Sequence, residues 1–130
     1  MAQPTFLCGT FDEALDLVAE ARDYLVRVER AERRRAGLVG SLKISKVTMA
    51  MTSRLTEVMA WLMARRAAAE GEIGTGEYLL SETDVSLDQS FLDDEALPSG
   101  LRRLVDRSFE LYVRIARLEA QMLARRSQGA

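Results

Sequence analysis

The sequence predicts an all-α protein: a three-helix bundle with a long, partly disordered acidic connection between the second and third helices. Apolar residues recur every three or four positions through three long segments, which is the spacing of one helix face. Proline occurs only at Pro4 and Pro98, so no proline breaks a helix between them. With 130 residues, 48% of them hydrophobic and 29% charged, the chain suits one soluble helical domain over residues 1–130.

The first helix is expected to cover about residues 10–36. Thr10 and Glu13 have the T-x-x-E spacing of a capping box, in which each side chain accepts a hydrogen bond from the other residue's backbone amide. Three arginines at 33–35 and Gly37 mark its end, because cations suit the unpaired carbonyls of a helix C-terminus and glycine suits the exit. The predicted apolar stripe consists of Phe11, Leu15, Val18, Ala21, Leu25 and Val28.

The second helix is expected to cover about residues 41–71, a length of roughly 45 Å. A short turn over residues 36–41 should join it to the first helix as an antiparallel pair. Met49 and Met63 lie on one flank of its apolar stripe, and Trp61 lies on the other. The stripe consists of Ile44, Val47, Met51, Leu55, Val58, Met59 and Leu62.

The third helix is expected to cover about residues 98–124. Pro98 falls just before or inside its first turn, where a missing backbone amide costs nothing. Its nearly heptad stripe consists of Leu101, Leu104, Val105, Ser108, Leu111, Tyr112, Ile115, Leu118 and Met122.

The connection between the second and third helices, about residues 72–97, is strongly acidic. Nine acidic and no basic residues lie between Glu70 and Pro98, whereas the rest of the chain has 11 acidic and 18 basic residues. A solvated connection that docks nowhere is the favoured interpretation. The alternative is a salt-sensitive gate, in which the connection lies against the arginine-rich helices until an acidic partner displaces it.

Composition argues against an enzyme. The chain has no histidine, which removes the commonest general base and metal ligand, and its one cysteine is Cys8. Nucleotide-binding and nucleophile motifs are absent, and the clustered carboxylates fall in or beside the acidic connection. We therefore expect no catalytic residue, cofactor or metal, and a cytoplasmic location without membrane insertion, since the longest apolar run is too short to span a bilayer.

Met49, Trp61, Met63 and Arg65 are the candidate interface residues. Met49, Met63 and Trp61 occupy arcs too far apart for three helices to cover easily, and Arg65 lies one turn past Trp61, within reach of its ring. Burial in a two-fold homodimer is favoured for the three apolar residues. Binding of another protein and packing within the chain are the alternatives.

Residues 30–35, RAERRR, are the best candidate for binding nucleic acid. A solvated, salt-bridged helix end is the favoured interpretation, because Glu29 and Glu32 interrupt the positive charge and the net charge of the chain is −2. Nucleic acid is therefore not an expected partner. A DNA-associated regulator using arginine-rich helix surfaces is the alternative function, which electrophoretic mobility shifts across a salt series would test.

Residues 53–72, SRLTEVMAWLMARRAAAEGE, resemble the signature helix of the alphaproteobacterial regulator of CtrA degradation family. Weaker matches are Ala21, Tyr24 and Leu25 in the first helix and residues 97–119 in the third. The signature matches are Arg54, Leu55, Thr56, Trp61, Leu62, Arg66, Ala67, Gly71 and Glu72.

The resemblance implies a homodimeric three-helix bundle with a mobile connection before the last helix. It also implies a non-enzymatic adaptor that helps deliver cell-cycle regulators to the ClpXP protease, so its expected partners are an AAA+ protease and the proteins it degrades. Only a few residues follow the third predicted helix here. Family members can carry a longer, flexible C-terminal extension that has a role in delivery or localisation.

Overall fold

The structure, a computed structural model, describes residues 5–71 and 97–129. Within those two ranges it contains four α-helices and no β-strand, which confirms the all-α prediction. The helices are α1, Thr5–Arg27; α2, Glu29–Arg35; α3, Gly37–Ala69; and α4, Ser99–Gly129. The predicted acidic connection and its gate lie outside the described residues, apart from the buried Leu97.

The prediction of one helix over residues 10–36 is wrong, because the helix is interrupted at Val28, which separates α1 from α2. Val28 has φ −117°, far from the usual helical value, although its ψ of −42° is helical and its amide still donates to the carbonyl of Tyr24 at 2.9 Å. The capping-box prediction is also wrong. α1 begins at Thr5, so Thr10 lies inside the helix, where it is buried and cannot serve as the N-cap.

α3 begins at Gly37, so the turn predicted for residues 36–41 is mostly helix, and α2 together with Ala36 connects α1 to α3. Gly37 has φ +74°, a conformation that costs glycine little and other residues more. At the other end, the amide of Gly71 donates to the Ala68 carbonyl at 3.1 Å while Gly71 has φ +80°. This is a glycine-terminated helix end, close to the end expected at about residue 71.

α4 begins directly after Pro98, whose carbonyl accepts a hydrogen bond from the Arg102 amide at 2.9 Å. The helix thus starts within one residue of the start expected at about residue 98. Proline is tolerated at this position because no backbone donor is needed there. The helix continues to Gly129, five residues beyond the predicted end at 124.

α1 is antiparallel to both of its long neighbours. Near the start of α1, Phe11 faces Arg66 from the end of α3, with the guanidinium carbon 5.6 Å from the ring centroid. Glu20 and Glu13 bind successive arginines of α4, Arg107 and Arg114, so α4 runs in the opposite direction to α1. Since both α3 and α4 oppose α1, they run parallel to each other.

Two side-chain contacts confirm that α3 and α4 are parallel. Arg54 of α3 bonds Ser108 of α4, and seven residues later Trp61 bonds Glu119. The end of α3 and the start of α4 therefore lie at opposite ends of the structure. This explains why the sequence between them is long: a parallel pair cannot be joined by a short turn, whereas α1 and α3 are joined by a single short helix.

The core lies where α1, α3 and α4 meet. The stripes predicted for α3 and α4 are confirmed, with only Met59, Leu118 and Met122 partly rather than fully buried. The stripe predicted for α1 is displaced, because Leu15 and Val28 are exposed while the apolar residues buried in the described part of this helix are Ala14, Leu17, Ala21 and Tyr24. α1 thus carries more apolar side chains than its core face uses.

Candidate protein-binding face between α1 and α3

Trp61 is buried within a single chain, at 0% exposure, so the expectation that it lies on an uncovered flank is wrong. Its indole N–H donates to Oε2 of Glu119 at 3.0 Å, and α4 covers that flank of α3. Arg65 is also buried, with its guanidinium carbon 5.5 Å from the Trp61 ring centroid, which confirms the predicted stacking. Trp61 thus joins α3 to α4, and neither residue has more than 5% of its surface exposed to a second copy.

Met49 and Met63, on the opposite flank, are the two interface candidates that remain accessible, at 71% and 58% exposure. Four turns of α3 separate them, and both side chains lie beside α1 rather than α4. Their assignment to an interface stays a prediction.

A groove of about 450 Å³ runs between α1 and α3 beside Met63. Arg22 is the one charged residue in its lining; the others are Val18, Ala21, Leu25, Thr52, Leu55, Thr56, Met59, Ala60 and Met63. A second groove of about 380 Å³ continues towards Met49 and shares Leu25 and Thr52 with the first. We call this continuous surface the α1/α3 face, defined by Val18, Leu25, Met49, Thr52, Met59 and Met63.

The sequence explains why this face forms. Met49, Thr52, Thr56, Met59 and Met63 recur at spacings of three and four, so they make a second stripe beside the buried one, with Met59 at the edge of both. α1 adds the apolar side chains that its core face does not use. Methionine adapts its shape to different surfaces, so the composition suits protein contact.

Sequence reasoning found the α3 half of this face but missed the α1 half. Val18 and Leu25 were assigned to the core, where the structure places them only at its edge. The available signal was the width of the α1 apolar stripe, which together with Ala14 and Leu17 covers more of the helix than one core contact requires.

A buried polar contact lies on the other side of α3. Nη1 of Arg54 donates to the Ser108 hydroxyl at 3.0 Å, that hydroxyl donates to the Val105 carbonyl at 2.8 Å, and the guanidinium carbon lies 5.4 Å from the Phe109 ring centroid. Burial lowers the pKa of the Arg54 guanidinium from its ordinary value. The arrangement joins two helices and has no access to solvent.

The carboxylates of α2 are turned towards the protein. Glu32 accepts a hydrogen bond from the Tyr24 hydroxyl at 2.5 Å, and Glu29 pairs with Arg33 at 3.0 Å. Burial, and secondarily the bond to Glu32, raises the pKa of Tyr24 well above its ordinary value, so the phenol stays a donor at physiological pH. The Arg33 pair fits the favoured interpretation of RAERRR as a salt-bridged helix end.

Fold and surface together define a class of protein: an all-α protein whose described residues expose an apolar face. In residues 5–71 and 97–129, the only stretches whose geometry is known, no three potential metal-ligating side chains come together. The buried Arg54–Ser108 bond and the Trp61–Glu119 bond join α3 to α4.

The whole chain, residues 1–130, matches the family described as "Protein of unknown function (DUF1465)", and the chain belongs to that family. It is also similar to the crystal structure of RcdA from Caulobacter crescentus CB15, with a TM-score of 0.76 and 30% sequence identity over 93% of each chain. No curated protein matches the chain. The resemblance read from residues 53–72 is thereby confirmed: this is an RcdA-like protein.

Proposed function

We propose that this chain is a non-enzymatic cytoplasmic adaptor that delivers cell-cycle regulators to a ClpXP-type AAA+ protease. The observation that carries the proposal is its similarity to RcdA, which extends over 93% of both chains and so is not limited to a shared helix pair. The uncovered α1/α3 face supports it, because an adaptor works through surfaces rather than through a catalytic cleft.

The mechanism is co-localisation. A scaffold that holds a substrate protein and the protease together makes their encounter intramolecular, which raises the effective concentration of substrate at the protease without any new chemistry. The rigid connection of α3 to α4 through Trp61 and Arg54 keeps the surfaces of the scaffold at fixed separations.

Co-localisation predicts a bell-shaped dependence of degradation on adaptor concentration. Substrate proteins would first be identified by pull-down from the native cytoplasm with mass spectrometry, and their degradation by purified ClpXP would then be followed as the chain is titrated. The rate should rise and then fall, because excess adaptor binds protease and substrate on separate molecules. A rate that rises to a plateau would indicate activation of the protease instead, and an unchanged rate would refute the delivery role.

We also propose that the chain forms a homodimer through the α1/α3 face. A two-fold contact brings the same surface of both copies together, so it places like charges close to one another unless the surface is uncharged. Between Met49 and Met63 the exposed side of α3 supplies methionine, threonine and alanine, and Arg22 is the one cation at the edge. Trp61 and Arg65 are not part of this contact.

Replacing Met49 and Met63 together with glutamate should convert the dimer to monomer, because the four new carboxylates of a dimer would meet in one apolar contact. Sedimentation velocity gives the mass, and circular dichroism shows whether the helices persist. Ala120→Glu with Leu123→Glu, two exposed positions on α4, is the charge-matched control and should leave the mass unchanged. A dimer that survives the methionine substitutions with its fold intact uses another surface.

A further inference from the structure

The corner where α2 meets α3 presents cations and aliphatic side chains to solvent together. Arg34 and Arg35 end α2 and are exposed. In the first turns of α3, Leu38, Val39 and Leu42 are 79%, 67% and 63% exposed. Large aliphatic side chains are costly to leave in water when they are grouped, so such a group suggests a binding surface. We call Arg34, Arg35, Leu38, Val39, Leu42 and Lys46 the basic–aliphatic corner.

The fold separates the acidic from the basic side chains around this corner. The two acids of α2 are largely removed from solvent: Glu29 is 13% exposed and pairs with Arg33 of the same helix, and Glu32 accepts a hydrogen bond from Tyr24 of α1. No aspartate or glutamate occurs in residues 33–56. Because Leu38, Leu42 and Lys46 are spaced by four, one side of α3 carries both apolar and cationic groups. The corner therefore has the composition that suits an anionic surface with an apolar interior.

Its position and charge distinguish it from the α1/α3 face. Leu38 and Val39 precede Met49 by about three helical turns, roughly 15 Å along the helix axis, and only Lys46 lies within one turn of Met49. Neither groove of the α1/α3 face includes a residue of the corner. Cations beside exposed aliphatic side chains suit a surface that offers both negative charge and an apolar layer. Nucleic acid offers phosphates for the arginines but no comparable apolar layer for Leu38 and Val39.

We propose that the basic–aliphatic corner binds the surface of an anionic lipid bilayer. Leu38, Val39 and Leu42 enter the boundary between headgroups and acyl chains. Arg34, Arg35 and Lys46 contact the lipid phosphates. The contact is peripheral, since none of the helices in the described ranges has the length and apolarity to cross a membrane. It does not depend on the adaptor role, which uses other surfaces.

Co-sedimentation of the full chain with lipid vesicles tests the proposal. Binding is expected to phosphatidylcholine vesicles that contain phosphatidylglycerol and not to phosphatidylcholine alone, and it should weaken as salt is added. Arg34→Gln with Arg35→Gln should lower the partition coefficient roughly 30-fold, since each cation near the surface contributes appreciably. Leu38→Ser with Val39→Ser should lower it roughly tenfold by removing the apolar contribution.

Matched controls separate the corner from general charge and exposure. Arg117→Gln with Arg125→Gln changes the net charge equally on exposed positions of α4, and Leu123→Ser removes an exposed apolar side chain from the same helix. Both should bind vesicles like the unaltered chain. All substituted residues are exposed, so the helical circular dichroism should not change.

Three results would overturn the proposal. The first is no preference for anionic vesicles. The second is an equal loss of binding in the Arg117 and Arg125 control. The third is full binding by the Leu38 and Val39 double variant together with displacement of the chain from vesicles by polyglutamate, which would identify the corner as an electrostatic site for acidic proteins.

Discussion

Trp61→Ala should lower the free energy of unfolding by about 3–5 kcal/mol, the usual cost of truncating a fully buried aromatic side chain. The indole fills the contact between α3 and α4 at 0% exposure, and its removal leaves a cavity as well as a lost bond to Glu119. Urea denaturation followed by far-ultraviolet circular dichroism measures the change. Fluorescence is unsuitable, because Trp61 is the only tryptophan in the chain.

Two companion variants make the Trp61 result specific. Leu123→Ala removes an exposed apolar side chain of α4, at 40% exposure, and should change the free energy of unfolding by less than about 0.5 kcal/mol. Trp61→Phe keeps most of the ring volume but loses the N–H donor to Glu119, so about 1–2 kcal/mol is expected. If Trp61→Ala cost no more than Leu123→Ala, the packing of α4 against this flank would be refuted.

Ser108→Ala should lower the free energy of unfolding by about 1.5–3 kcal/mol, because the charged Arg54 donor loses a buried acceptor. The exposed Ser53→Ala, next to Arg54 on α3, is the control and should have little effect. Urea denaturation again provides the measurement. An effect of Ser108→Ala no larger than that of Ser53→Ala would show that the hydroxyl contributes nothing to holding the guanidinium.

Arg54→Met should be far less costly than Ser108→Ala and should leave the free energy of unfolding within about 1 kcal/mol of the unaltered chain. The lowered pKa of Arg54 means that the folded protein holds its charged form less favourably than the unfolded chain does, so the charge costs stability at neutral pH. In the Arg54→Met background, Ser108→Ala should lose most of its effect. A larger loss from Arg54→Met than from Ser108→Ala would show that the guanidinium is a net stabiliser.

The sequence predicts the helices well where one periodic signal dominates. The apolar spacing from Ile44 to Leu62 identifies α3 and its buried side, and Pro98 identifies the start of α4. The interruption of the helix at Val28 has no such signal in the sequence, since neither glycine nor proline is present there. The T-x-x-E pattern at Thr10 misled because the same spacing also occurs inside helices, where the hydroxyl has no free amide to cap.

The candidate face was only half predictable for a related reason. Periodicity gives the angle at which a side chain leaves its helix, but it does not say which other helix covers that angle. Trp61 and Met63 leave α3 on different sides, and only the position of α4 buries one and leaves the other exposed. That position depends on long-range packing, which a single sequence does not encode in any local pattern.

The long sequence separation between α4 and its partners determines the order in which this protein can fold. Only the short α2 separates α1 from α3, so these two can pair as soon as both have left the ribosome, whereas the bonds that dock α4 join residues 54 to 101 positions apart. Until α4 is synthesised, the paired helices expose Trp61 and the other core residues that α4 covers. The nascent chain that lacks α4 is therefore the species most prone to aggregate, and it is the species on which a chaperone would act.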